Sequence, residues 1–170
     1  MTEENKSRPA TIDDLKKLVT SLNSHKVDYF LIGGYAMFTH GFHRATTDID
    51  ILVSGRAESG EKIKQALMVL PDGAAKDIDI EWFSEGENIR VADEITVDVM
   101  LNACGQTYET LKQYAEIADL DGIPVQTINL EGLLLTKKTD RWKDTIDRIV
   151  IERALNEIHK MLEKKEKPKF

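Results

Sequence analysis

Residues 31–53 read LIGGYAMFTHGFHRATTDIDILV, and this stretch decides the fold. Its start completes a short run, Val27 to Ile32, rich in β-branched and aromatic residues and therefore read as a strand. Gly33-Gly34 ends that strand, and Tyr35 to Thr39 opens a short helix. Asp48 to Val53 is a second strand. Side chains alternate faces along a strand, so Asp48 and Asp50 project to one side while Ile49, Ile51 and Val53 fill the other. Adjacent carboxylates repel unless something neutralises them, and a divalent cation does this well. Glycines without side chains let backbone N–H groups approach phosphate oxygens, and the helix start that follows favours anions.

Upstream, Thr11 is a helix N-cap with Asp13 and Asp14 in the first turn, and Leu15, Leu18, Val19 and Leu22 mark one buried stripe. Downstream, Glu58 to Leu70 has helical spacing and stops at Pro71-Asp72-Gly73. Asp77 to Phe83 and Ile95 to Leu101 read as strands, with Asn88 to Val91 a short one between them. In Ile95 to Leu101 the odd positions are apolar, so Asp98 points to the opposite face between Thr96 and Met100. A neighbouring placement of this strand would bring three carboxylates to one spot. Asp77 and Asp79 repeat the Asp-Ile-Asp spelling without a glycine turn and read as the exposed face of an outer strand.

Thr107 to Tyr114 is a short helix, and Ile117 to Leu120 and Ile123 to Ile128 form a hairpin about Asp121-Gly122. Asn129 caps a helix to about Lys138. A longer helix runs from about Arg141, with Ile146, Val150, Ala154, Ile158 and Leu162 repeating at i+4. The order predicts an α/β (α+β) domain: a flexible arm over residues 1–10, a core over 11–128 and a C-terminal helical pair over 129–170.

The totals narrow the function classes. Over 170 residues the formal charge is −7, which argues against a protein that coats nucleic acid non-specifically. Cys104 is the only cysteine, so neither an intramolecular disulfide nor a multi-cysteine zinc site is available. Residues 1–10 lack the apolar stretch of a secretory signal, and no run approaches the roughly 20 apolar residues of a membrane helix. The expected location is cytoplasmic, without membrane association.

Leu31-Ile32-Gly33-Gly34-Tyr35-Ala36, followed by Arg44-Ala45-Thr46-Thr47-Asp48-Ile49-Asp50, resembles the nucleotidyltransferase superfamily typified by DNA polymerase beta. The likeness is to small stand-alone members, including nucleotidyltransferase-type toxins of abortive-infection and toxin–antitoxin systems. Asp98 matches the family's later lone Asp on a strand. Lys137, Arg141, Lys143 and Asp144 match a Lys…Arg-x-Lys-Asp element of the small members. The resemblance implies a mixed β-sheet flanked by helices, with two Mg²⁺ (or Mn²⁺) held by Asp48, Asp50 and Asp98 and an NTP as co-substrate. Asp98 is then the base for an acceptor hydroxyl. Gly33, Gly34, Arg44, Lys137 and Lys143 are the expected phosphate-binding set. The chain departs from the common Gly-Ser turn: Gly34 supplies no hydroxyl.

Plainer readings stand beside these. Arg44 would equally serve by pairing with a carboxylate and holding its loop, and Lys143-Asp144 by forming an exposed charge pair. His40 and His43 read as loop packing, and Trp82 and Trp142 as core or groove-lining. The expected activity is transfer of a nucleoside monophosphate to a hydroxyl of an acceptor, on tRNA or a protein before a free small molecule, with a cognate partner protein in view. The alternatives are an idle nucleotide-binding or toxin-neutralising partner of the same fold, and a two-metal phosphodiesterase.

Overall fold

A computed structural model describes residues 7–166. Helix α1 (Ile12–Ser24) starts at a capping box, in which Thr11 and Asp14 satisfy each other's backbone N–H groups. It buries Leu15, Leu18, Val19 and Leu22, each worth on the order of 2 kcal/mol relative to exposure. Residues 1–6 of the expected arm lie outside the described residues. Residues 7–10 are tied down rather than loose: Arg8 N–H donates to Glu94 O at 2.9 Å, Ala10 N–H to Thr47 O at 2.9 Å, and Arg8 pairs with Asp14.

Then follow β1 (Tyr29–Ile32), α2 (Gly33–Thr39), β2 (Ile49–Val53), α3 (Ala57–Leu67), α4 (Glu81–Ser84), β3 (Ile89–Ala92), β4 (Thr96–Met100) and α5 (Tyr108–Leu111). Strands β5 (Ala115–Leu120) and β6 (Ile123–Ile128) and helices α6 (Leu130–Leu135) and α7 (Trp142–Glu166) complete the chain. The strands form one mixed sheet in the order β3-β4-β2-β1-β6-β5. β1 runs parallel to β6 and β2 to β4; the other pairs are antiparallel. The β5–β6 turn has positive φ at both Asp121 (50°) and Gly122 (89°), the backbone that a two-residue hairpin requires. No helix among the described residues is long and apolar enough to cross a membrane.

Register explains how one sheet serves both core and site. Leu31, Ile51, Val99 and Ile89 make one row across β1, β2, β4 and β3, and all four are buried. One residue along, Ile32, Asp50, Asp98 and Arg90 make the next row, which faces the other way.

Two expected elements differ. Asp77 to Phe83 is not a strand but a 3-10 turn (Ala74–Asp77) followed by α4. Asp93 accepts from the N–H groups of Asp72 and Ala74, and Asp79 accepts from Glu81 N–H at 3.0 Å, which winds the chain locally. Ile78 and Phe83 are both buried at a spacing of five, which a strand would send to opposite faces. Asp77 and Asp79 are exposed, as expected, but on this turn.

Helix α7 forms as expected, yet only part of its i+4 series faces the domain, with Val150 packed against the core. Ile146, Ile158 and Leu162 are exposed, and the buried positions are Asp144, Asp147 and Ile151. Four residues span about 400° of helix, so five positions at i+4 wind about 160° around it and cannot share one stripe. Polar partners, described below, set which side turns inward. Trp82 and Trp142 are both surface residues rather than core. His40 bonds Ile128 O at 2.9 Å and His43 packs edge-on against Phe38, in keeping with loop packing.

Candidate active site

The acid-bearing row opens into a cleft with a strongly polar lining. Asp48, Asp50 and Asp98 line its sheet wall, with Gly33 and Gly34 beside them. Lys137, Arg141, Lys143 and Asp144 line the wall built by the α6–α7 connection and the start of α7. Asp98 therefore stands on the same side of the sheet as Asp48 and Asp50, directly across from Asp50 in register.

The glycine pair is dictated by this packing. Gly33 has φ +72°, and a Cβ there would come within 2.2 Å of Asp50 Oδ2. A Cβ on Gly34 would meet Thr46 Oγ1 at 2.6 Å and Arg44 Nη1 at 3.1 Å. The space a serine would need at position 34 is filled by the loop that leads into β2.

Asp50 is half-buried, directly across from Asp98. Burial, and then the charge and contact of Asp98, push its carboxyl up to about 7, with Asp48 adding to the effect and Lys137 partly offsetting it. Arg90 meets the other two. Its Nε donates to Asp98 Oδ1 at 2.9 Å, and its Nη2 reaches Asp98 Oδ2 and Asp48 Oδ2, each at 3.2 Å. Those acids hold the Arg90 guanidinium even more firmly protonated than usual.

On the opposite wall, Asp147 gathers the cations. Arg44 donates to it through Nε and Nη2, both at 2.9 Å, and Lys137 Nζ lies 3.0 Å away. Asp147 and Lys137 are almost wholly buried. Burial alone would raise the Asp147 carboxyl, but hydrogen bonds from Arg44 and Lys137 outweigh it and hold the group below its ordinary range. Arg148 donates to the carbonyls of Lys137 and Thr139, clamping the α6–α7 connection. Of the two roles open to Arg44, the structure shows the carboxylate pair. Arg141 and Lys143 line the cleft with no ion pair among the described residues.

Comparison with family models finds no match, and comparison with curated proteins finds none either. Among solved structures, a crystal structure of a "putative nucleotidyltransferase (TM1012)" from Thermotoga maritima superimposes with a TM-score of 0.53. Identity is 17%, over 96% of this chain and 99% of that one. The chain has a nucleotidyltransferase fold.

Arg90 and Asp147 escape a reading of the sequence. Arg90 sits between buried Ile89 and Val91 on a short strand, as any solvent-facing residue would. Asp147 falls three residues after Asp144, hence on the same helix face, and that spacing is the one signal that pointed to it.

The three acids share a cleft, but as placed no three acidic, histidine or cysteine side chains among the described residues surround one point closely enough to hold an ion. The expected convergence is therefore correct in register and incomplete in distance. The donor set itself suits a hard cation. It offers three carboxylates, one of them driven to keep its proton by desolvation and then by its acidic neighbours, with a guanidinium already in contact with two.

Stability should register the crowding of Asp50. In the unfolded chain its carboxyl titrates near 3.8, in the folded one near 7. The folded state thus binds the extra proton between those values, and the stability contributed by the protonated group is lost as pH rises through about 7. Calorimetry in chelator should show Tm falling between pH 5.5 and 8, with a flatter profile in Asp50→Asn. An equal slope in both proteins would assign the effect to another group.

Proposed function

We propose that this chain is a metal-dependent nucleotidyltransferase that moves a nucleoside monophosphate group from an NTP to a hydroxyl of an acceptor. The observation that carries the reading is the pairing of Asp50 with Asp98 across β2 and β4, beside Asp48, with a cationic wall opposite. Asp48, Asp50 and Asp98 are the residues that would hold Mg²⁺ or Mn²⁺, which when bound neutralises them and lowers the pKa of a coordinated hydroxyl. Arg141 and Lys143, which make no ion pair among the described residues, bind the polyphosphate, and buried Lys137 adds charge behind them. Asp98 accepts the proton of the acceptor hydroxyl. The new bond joins that oxygen to the α-phosphorus, and the bond to the departing pyrophosphate breaks. The acceptor in this reading is an RNA or protein hydroxyl, and the stand-alone toxin-like subtype with a cognate partner protein belongs to the same proposal.

Titration calorimetry with a non-hydrolysable NTP is the test. Binding should require Mg²⁺ and should disappear in Asp48→Ala/Asp50→Ala; metal-independent binding, or binding untouched by the substitutions, rejects the reading. One observation favours a second reading, a nucleotide-binding protein without turnover: Arg90 occupies the faces of Asp48 and Asp98. Labelled product from any NTP screen eliminates it.

A further inference from the structure

We infer that Arg90 is the resident counter-ion of Asp48 and Asp98, that it is exchanged for the divalent cation when the site loads, and that its freed guanidinium then binds the incoming polyphosphate. The inference rests on the metal-dependent reading above and assigns a role to a residue outside the expected set.

Arg90 belongs to the sheet edge. It lies in the same row as Asp98 and Asp50, so its side chain crosses β4 and reaches the acids from the outer strand. Both oxygens of Asp98 and one of Asp48 accept from it. Those are the oxygens that a cation held by the pair would need. Two positive charges within a few ångströms of each other in a cleft repel, so guanidinium and metal ion exclude one another. The other cations near the acids are not available for this duty: Arg44 and Lys137 are engaged by Asp147.

Exposure separates a releasable cation from a fixed one. The Arg90 side chain is 66% exposed, against 5% for Lys137. An ion pair so open to water contributes little to stability and is readily broken. Asp48 and Asp98 are themselves partly exposed, at 31% and 22%, so the exchange needs no rearrangement of the sheet. Once displaced, the side chain remains anchored on β3 at the rim of a cleft whose far wall carries Arg141 and Lys143. A polyphosphate between those walls is then met from both sides.

The test reads two affinities of opposite sign. Mn²⁺ binding without nucleotide, followed by electron paramagnetic resonance, should tighten about threefold to tenfold in Arg90→Ala, the range set by losing an exposed ion pair. Binding of a non-hydrolysable triphosphate at saturating Mn²⁺ should weaken by a similar factor. Arg90→Lys, which keeps a charge without the bidentate fork, should lie between on both scales. Mn²⁺ affinity that is unchanged or weaker in Arg90→Ala overturns the exchange, and triphosphate affinity that is unchanged or tighter overturns the second role. Wild type and variant both failing to bind Mn²⁺ removes the metal-dependent reading and this inference together. Melting temperature in saturating Mn²⁺ confirms that the variants are folded; if Arg90→Ala is not, Arg90→Gln takes its place.

Discussion

Replacing Asp50 by asparagine is expected to abolish nucleotide transfer while making the metal-free protein more stable. Both effects come from one position. Asp50 is half-buried beside Asp98, and desolvation and mutual repulsion raise its carboxyl to about 7. Above that pH the folded state must ionise a group that the unfolded chain ionises freely in water. The difference from 3.8 caps the penalty at roughly 4 kcal/mol. Asparagine keeps the shape and removes the charge, so Tm in chelator at pH 8 should rise by roughly 3 to 8 °C. Transfer should fall by at least about a thousandfold, because a bound metal contributes several kcal/mol to such reactions and each 1.36 kcal/mol is tenfold. Calorimetry and a labelled-NTP assay on the same preparation check both arms. A lower Tm at pH 8 would mean that Asp50 is wanted as an anion, with Lys137 its dominant partner.

Asp147→Ala should produce the largest loss of stability of any single change near the cleft. Asp147 is 1% exposed and holds Arg44 at 2.9 Å and Lys137 at 3.0 Å. Its removal leaves two cations facing each other. The carboxylate left within ion-pair distance of Lys137 among the described residues is then Asp144, at 3.7 Å. Deleting one partner of a buried pair costs roughly 3–5 kcal/mol, which corresponds here to a Tm drop of about 10 °C. The same acid fixes how α7 sits, because Asp144, Asp147 and Ile151 are its buried positions. Nucleotide binding should weaken with stability, since Lys137 and Arg44 lose their anchor. A drop in Tm of less than about 2 °C would show that the cluster orders side chains without net stabilisation.

These two acids mark where sequence reading succeeds and where it stops. The Asp48/Asp50 pair follows from alternation on one strand, and so does the face on which Asp98 stands; each needs only the period of the local backbone. Capping at Thr11 and Asn129 and the hairpin at Asp121-Gly122 are likewise local, and all three form as read. The run from Asp77 to Phe83 misleads because its acids and apolar residues alternate as a strand's would. Asp93, from another part of the chain, holds the segment before it, and two buried side chains five apart require a turn. The i+4 series on α7 misleads because hydrophobic spacing outweighs two acids in such a reading, whereas in the folded chain buried cations decide the helix face.

The sequence by itself determined which residue types stand together along each strand and at each cap, because such preferences act over a few neighbouring residues. Only the tertiary structure decided which strand lies beside which. It thereby set Asp98 opposite Asp50, laid Arg90 across Asp98 and Asp48, and joined Arg44 to Asp147 across more than a hundred residues. Register and ion pairing are settled by packing between segments far apart in the chain, and no local period records them.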